Sequence, residues 1–216
     1  MAKNIIICCQ SIEKEMRYFM AEAGCQAELI VMDKHYHAEP GALQVKLQEL
    51  IDSFTDVDRV YICESGCGCG GATDNLKATT CELVIPKTQN CVDLMLSKTC
   101  VADIDRPTDG MFLTEGWVPY MEGGIVDYRY LIKTKGPEEA KAYANKLFGK
   151  FNTFYIIDTV PYDVKKVVDF ILPMLLAVKG QLKILEGPCG LMKRIVRGDV
   201  DEVDFFIVPK GDAKAD

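Results

Sequence analysis

The chain has 216 residues, of which 49% are hydrophobic and 26% charged, and its 25 basic against 32 acidic side chains give a net charge of -7. This length allows a core without disulfides, and the lack of an export leader or spanning segment predicts a cytoplasmic protein with reduced thiols and no membrane partner. The dispersed acidic excess excludes a nucleic-acid partner. The 10 cysteines are therefore metal ligands, catalytic groups or small apolar core residues.

Apolar runs and helical periodicity alternate along the first part of the chain. The apolar runs predict strands at residues 4–9, 27–32, 59–63 and 83–86. Ser11 and Pro40 are each suited to begin a helix, and Gly24 ends the first one. Another helix is predicted at residues 91–96, just after the fourth strand.

The alternation returns after an irregular middle segment, residues 98–124, where prolines and glycines are frequent and only residues 111–114 resemble a strand. Beyond it we predict a helix after Pro137, helices at 163–178 and 191–196, and strands at 154–157, 182–185 and 205–208. This order is typical of α/β proteins. It predicts a parallel-sheet, Rossmann-like three-layer architecture.

The first and last thirds of the chain share one order of elements: strand, helix, strand, helix, strand. We expect either one α/β domain over residues 1–209 or two closely packed, pseudo-repeated β-α-β-α-β lobes, at about 1–97 and 125–209. Residues 98–124 would then lie between the lobes. The polar tail, residues 210–216, is expected to be disordered.

Many of the cysteines fall where strands end. Ligands of parallel sheets bind beyond the carboxyl ends of the strands. Seven of the ten cysteines map to this edge: Cys8, Cys9, Cys63, Cys67, Cys69, Cys91 and Cys189. The other three, Cys25, Cys81 and Cys100, do not, and together with Cys8 they are interpreted as core residues.

The loop Gly66-Cys67-Gly68-Cys69-Gly70 has no apolar residues that could pack in a core. Its glycines would let the backbone fold around a metal, with amide N–H groups that stabilise thiolates or instead hold an anion. The alternative is a tight turn that carries thiols by chance. The spacing Cys63-x3-Cys67-x-Cys69 fits neither paired zinc ligands nor a ferredoxin, which predicts a site built from separate loops for an iron–sulfur cluster, zinc or another thiophilic metal.

Both histidines, His35 and His37, follow the second strand at the same edge. A histidine there is typically a surface or capping residue, but His37 is also a candidate fourth ligand or acid–base group. Asp33 and Glu64 also end strands at this edge, and Trp117 could line a pocket or pack in the core. The common hydrolase, kinase and nicotinamide-binding motifs are missing from the sequence.

Three segments together resemble a known family: the glycine loop, Leu83-Val84-Ile85-Pro86 leading to Asn90-Cys91-Val92, and Phe112-Leu113-Thr114-Glu115-Gly116-Trp117. The chain resembles the DUF1638 family, a domain of unknown function from anaerobic bacteria and archaea that is often encoded near corrinoid-dependent methyltransferases. The resemblance extends from Ile5 to Pro209. It implies a setting in one-carbon metabolism but no particular activity.

The resemblance also implies which residues matter. The family pattern matches Cys9 after the first strand, His37 with Pro40 after the second, Cys67-Gly68 in the loop, and Cys91. The family places His-Asp where this chain has Gln89-Asn90, and it usually lacks the second loop thiol, Cys69. The departures imply a different or larger metal centre in this member.

Our leading hypothesis is a cytoplasmic metal-binding or iron–sulfur protein that serves corrinoid methyl transfer as an electron donor, an activation factor or a metal-site enzyme. A corrinoid protein or methyltransferase would be its partner; a homo-oligomer and the catalytic residues are left open. The alternatives are a two-lobed small-molecule binding module with incidental thiols, and a metal-free enzyme with Cys67 as nucleophile and His37 as base. The predicted ligands are Cys9, Cys67 and Cys91, completed by Cys69, His37, Cys63 or Cys189, with Gly66, Gly68, Gly70 and Trp117 at the cofactor.

Overall fold

The N-terminal elements lie close to where the sequence predicts them. The computed structural model describes residues 3–33, 35–36, 39–64 and 71–214. Its first strands and helices, in chain order, are β1 (Asn4–Cys9), α1 (Glu13–Ala23), β2 (Glu28–Met32), α2 (Pro40–Ser53), β3 (Arg59–Ile62), β4 (Glu82–Pro86) and α3 (Cys91–Leu96). Gly24 ends α1 in the left-handed conformation, with φ of 63°, which glycine adopts without a steric cost.

The second half of the chain contains two helices that the sequence did not reveal. These are α4, which follows the short strand β5 within the segment rich in glycine and proline, and α5, which comes just after that segment. The elements are β5 (Gly110–Leu113), α4 (Val118–Met121), α5 (Tyr128–Lys135), α6 (Pro137–Phe148), β6 (Thr153–Asp158), α7 (Val164–Val178), β7 (Gln181–Glu186), α8 (Gly190–Arg197) and β8 (Phe205–Val208).

The strands of the described residues form two sheets. One has five strands in the order β2-β1-β3-β4-β8, and the other has three in the order β5-β6-β7. All neighbouring strands are parallel except β8, which pairs antiparallel with β4. This arrangement confirms the predicted Rossmann-like α/β class and adds one antiparallel strand that the sequence pattern could not distinguish.

The chain divides into two compact units. The first contains residues 1–104 and 188–216, and the second contains residues 105–187. The sequence grouped residues 125–209 in one lobe, but α8 and β8 belong to the first unit because Val208 pairs with Leu83 of β4 and α8 packs on α1 and α3. Sequence order alone cannot show that the chain returns to its first sheet.

The C-terminal tail is packed as far as Lys214, in contrast to the expected disorder. The backbone N–H of Lys214 donates to the carbonyl of Leu76 at 2.8 Å, and its Nζ lies 3.0 Å from Oδ1 of Asp74. Ala213 also bridges to Lys77. These contacts supply partners that a composition-based prediction of disorder does not consider.

Each unit has its own apolar core. In the first, side chains of β1, β3 and β4 pack with α2, as Ile7, Val60 and Leu47 illustrate. In the second, β6 packs under α5, α6 and α7 through residues such as Phe154 and Ile171. No helix in the described part of the chain is long and apolar enough to cross a membrane.

Candidate functional site at the sheet edge

The carboxyl ends of β1, β2, β3 and β4 lie at one edge of the five-stranded sheet, because these strands are mutually parallel. Cys9 is the last residue of β1 and the register partner of Met32 at the end of β2. Cys63 directly follows β3, and its N–H donates to the carbonyl of Ile7 at 2.8 Å. The edge therefore collects the chain segments that leave four strands, as the sequence predicts.

Cys91 reaches this edge as the first residue of α3, five residues after the end of β4. Asn90 caps the helix: its side chain accepts a hydrogen bond from the N–H of Asp93, and the Asp93 carboxylate accepts from the N–H groups of Gln89 and Asn90. This capping box fixes the start of the helix. It therefore fixes the backbone position of Cys91.

Several predicted site residues lie outside the described part of the structure. They are His37, Gly66, Cys67, Gly68, Cys69 and Gly70. Their roles stay predictions. The structure describes the residues on either side of that loop. Cys63 and Glu64, which precede it, are both buried just after β3, and Gly71 is the first described residue after it.

The thiols of Cys8 and Cys63 lie beneath the edge, in the protein interior. The pairing of Ile7 with Ile62 places the next residues, Cys8 and Cys63, side by side on neighbouring strands. Burial raises the pKa of both thiols, and the Glu64 carboxylate and, for Cys8, the neighbouring Cys63 raise it further. Each is therefore a protonated thiol at neutral pH unless a metal displaces its proton.

Cys189 does not share the strand edge of Cys9 and Cys63, which corrects the expectation of seven thiols at one edge. It follows β7 of the three-stranded sheet, and the turn then leads into the first unit, where its N–H donates to the carbonyl of Met95 at 3.0 Å. Its side chain is fully buried. Burial and the Glu15 carboxylate raise the pKa of Cys189 to about 12, despite an opposing effect of Lys193.

The remaining cysteines divide by exposure. Cys81, like Cys8, is buried, as the core interpretation predicts. Cys25 and Cys100 are only partly buried, because Cys25 follows the end of α1 and Cys100 precedes a 3-10 turn at residues 101–103. Cys25 and Cys81 precede strands and Cys100 follows a helix, so these three residues lie away from the carboxyl edge.

An aspartate–histidine pair at this edge went unrecognised in the sequence. Nδ1 of His35 lies 2.8 Å from Oδ1 of Asp33, just beyond the end of β2. The same oxygen accepts the backbone N–H of His35 at 2.9 Å. The spacing Asp-x-His after a strand is the signal that could have indicated it.

Trp117 belongs to the second unit. It ends a 3-10 turn at residues 115–117, and its partly buried ring packs against the core of that unit, 5.2 Å from the ring of Tyr120. The sequence allowed two roles for Trp117, and packing in a core is therefore present. A role at a cofactor stays a prediction.

The described residues alone do not assemble a metal site. Within residues 3–33, 35–36, 39–64 and 71–214, no three His, Cys, Asp or Glu side chains are grouped so that they could hold a metal ion. A metal at this edge therefore requires donors from residues 37 or 65–70 in addition to Cys9, Cys91 or His35. Thiol and imidazole donors suit zinc, iron–sulfur clusters and other thiophilic metals.

A family model with the description "Protein of unknown function (DUF1638)" matches residues 31–196. The chain belongs to the DUF1638 family. The part that matches the DUF1638 model contains the glycine loop, Cys91 and Cys189, whereas Cys9 precedes it. No curated protein matches the chain, and no solved structure does.

Proposed function

We propose that this DUF1638 protein binds an iron–sulfur cluster or a thiophilic metal ion at the carboxyl edge of its five-stranded sheet, with Cys9, Cys67 and Cys91 as ligands. The observation that carries the proposal is the parallel pairing of β1, β3 and β4, since the chain that leaves each of these strands supplies one of the three cysteines. Sites at this edge are the rule in open α/β sheets.

The structure of the edge supports a soft-metal site in two further ways. Cys9 is 8% exposed, so a metal bound there would be largely shielded from water. The capping box of Asn90 and Asp93 holds Cys91 in place before any metal binds, and such preorganisation of ligands is characteristic of metal sites.

The biological part of the proposal rests on the resemblance. We propose a cytoplasmic role in anaerobic one-carbon metabolism, with a corrinoid protein or a methyltransferase as partner. Metal-site catalysis would need an open coordination position, which three protein ligands would leave on a four-coordinate metal. An electron-transfer or activation role would need only a redox-active cluster.

The test is anaerobic purification of the full chain, followed by metal and acid-labile sulfide analysis and a visible spectrum. We expect bound metal in the wild type and a loss of most of it in Cys9→Ser, Cys67→Ser and Cys91→Ser, because serine is a poor ligand for thiophilic metals. Cys25→Ser is the matched control, since Cys25 is partly exposed but precedes β2 at the opposite edge.

A wild-type protein that stays free of metal and sulfide after anaerobic reconstitution with iron, sulfide or zinc would refute the proposal. Thermal-shift measurements with corrinoids, methylated amines and phosphorylated metabolites then test the small-molecule binding alternative. Stabilisation by such a ligand that a chelator does not change would favour that alternative.

A further inference from the structure

We propose that the chain forms a two-fold symmetric homodimer through β7, the last strand of its three-stranded sheet, which pairs antiparallel with β7 of a second copy. The pairing would join the two three-stranded sheets into one continuous sheet. The inference goes beyond the proposed function and does not depend on it, because β7 contains none of the predicted metal ligands.

One edge of β7 has no strand beside it. Within the described part of the chain, β7 pairs only with β6 and ends the order β5-β6-β7. The N–H groups of Gln181 and Gly187 donate to carbonyls at either end of β6, at 2.6 and 2.8 Å. Because every second residue of a strand directs its N–H and C=O to the same side, the backbone groups of Leu182, Ile184 and Glu186 point away from β6.

These outward backbone groups are arranged symmetrically about Ile184. A rotation of 180° about an axis through Ile184, perpendicular to the sheet, places Ile184 opposite Ile184 of the second copy and Leu182 opposite Glu186 of the second copy. Residues that face each other in this way exchange both of their N–H···O bonds, as in the closely spaced pairs of an antiparallel ladder. A second copy of β7 would therefore satisfy every outward backbone group of the strand.

The strand lacks the features that usually keep an edge from pairing, which are proline, a bulge or an outward charge. β7 contains no proline, and its register with β6 runs without interruption from Gln181 to Glu186. Its internal charged residue, Lys183, is turned towards the neighbouring strand, where Nζ lies 3.4 Å from Oη of Tyr155 and over the tyrosine ring. An unprotected edge of this kind is expected to be covered by a partner.

Exposed apolar side chains accompany the open edge. The register places Ile184 beside the core residue Ile156, on the face of the sheet that α7 covers, yet Ile184 is 57% exposed. On α7, Leu172 and Leu176 lie about one turn apart and are also exposed. A two-fold axis perpendicular to the sheet keeps both copies of α7 on this face. Dimer formation would therefore bring the two apolar surfaces towards each other.

The charges at the two ends of β7 favour a second copy as the occupant of this edge. Lys179 precedes the strand, Glu186 ends it, and both are exposed. Antiparallel pairing brings the amino end of one strand to the carboxyl end of the other, so unlike charges approach each other at two symmetric places. One surface patch serves both subunits, as a two-fold interface requires.

The test is the mass of the untagged full chain in solution, measured by sedimentation equilibrium over a range of protein concentrations. We expect the wild type to reach twice the chain mass of 24.1 kDa. Ile184→Lys places two like charges opposite each other at the axis and should weaken the dimer by at least about 10-fold. Val45→Lys is the matched control, because Val45 lies on α2 and is 58% exposed. It should dimerise like the wild type.

Two further variants test the register and the role of metal. Ile184→Cys should form an intermolecular disulfide on oxidation with copper–phenanthroline, because residues that face each other in this ladder have Cα atoms about 5.5 Å apart. Val45→Cys controls for cross-links through the native thiols. Cys91→Ser, which should lose most of the proposed metal, is expected to dimerise like the wild type because no metal joins the two copies at β7.

A wild-type chain that stays monomeric at every concentration would overturn the proposal, as would a dimer that a folded Ile184→Lys variant leaves intact. Circular dichroism and thermal unfolding establish whether that variant keeps the native fold. If it does not, the Ile184→Cys cross-link decides, and a cross-link no stronger than that of Val45→Cys would overturn the pairing of β7. None of these outcomes bears on metal binding, so the proposed function is tested separately.

Discussion

Cys9 and Met32 are register partners at the carboxyl ends of β1 and β2. This pairing places the buried thiol of Cys9 beside the segment that carries Asp33 and His35. Cys9 and this segment lie more than twenty residues apart in the sequence. The edge that they share is the part of the DUF1638 fold where chemistry is expected.

The buried thiols should resist alkylation in the native state. At about pH 8, near the ordinary thiol pKa of about 8.5, we expect Cys8, Cys63 and Cys189 to stay unmodified by iodoacetamide, because burial raises their pKa and blocks access. The partly exposed Cys25 and Cys100 are the internal controls and should react. Peptide mass spectrometry gives the pattern, and rapid native labelling of Cys63 would contradict the described burial.

Gly190 should not tolerate a side chain. A Cβ there would lie 1.9 Å from the carbonyl oxygen of Lys98. The two backbone segments cannot easily move apart, because the N–H of Gly190 donates to the carbonyl of Ser97. We expect Gly190→Ala to lower the free energy of unfolding by about 3 kcal/mol, the upper end of overpacking costs. Denaturant unfolding measures this loss.

Gly41→Ala is the matched control for Gly190→Ala. Gly41 lies in α2, and a Cβ there would meet no atom within 4 Å. Because alanine favours a helix over glycine, we expect this variant to be neutral or more stable by up to about 1 kcal/mol. Equal stabilities of the two variants would contradict the close approach of α8 to residues 97–99.

Arg194 and Asp204 form a largely buried ion pair between α8 and the start of β8. Their side chains are 16% and 5% exposed, and Asp204 also accepts the N–H of Val101 at 2.8 Å. Arg194 keeps Asp201 as a partner at 2.7 Å, but removing Asp204 breaks the buried pair and takes the acceptor from the Val101 N–H, so we expect Asp204→Ala to cost about 2 kcal/mol in unfolding free energy. Thermal or denaturant unfolding provides the measurement.

The exposed pair Lys165 and Asp169 is the control for this ion pair. These side chains are 80% and 58% exposed and 2.7 Å apart on α7. We expect Asp169→Ala to change stability by no more than about 0.5 kcal/mol. A similar loss in both variants would show that burial does not decide the strength of these pairs.

Asp103 should make stability depend on pH in the acid range. Partial burial acts to raise the pKa of Asp103. Hydrogen bonds from the hydroxyl of Thr99 and from backbone N–H groups of residues 98–100 outweigh this effect and lower the pKa to about 2. Because an unfolded aspartate has a pKa of about 3.9, its contribution is complete above pH 4 and is lost as the pH falls towards 2.

The matched variant is Asp103→Asn, which keeps an oxygen acceptor but has no titrating group. We expect wild type to be more stable than the variant at neutral pH by about 1 kcal/mol, because hydrogen bonds to an ionised acceptor are roughly twice as strong as those to a neutral one. The difference should shrink between about pH 4 and pH 2. Parallel stability curves through that range would disprove the role of the Asp103 charge.

The amino-acid sequence by itself determined the class of fold and nearly every strand and helix. Strand β1 and helix α1 are local features: a β-branched apolar run and an apolar stripe ended by Gly24 specify them without distant partners. It also placed Cys9 at the end of a strand and Cys91 near the start of the helix that follows another strand. Their position follows from the direction of the chain in a parallel sheet.

Only the tertiary structure decided which strands share a sheet and what each thiol faces. The chain leaves the first unit after residue 104 and returns at residue 188, so Cys189 is buried beside Met95 although it follows β7. Likewise, a two-residue spacing cannot tell whether His35 bonds to Asp33. Pairing between distant strands and hydrogen bonds in loops depend on three-dimensional proximity, which local propensity and periodicity do not encode.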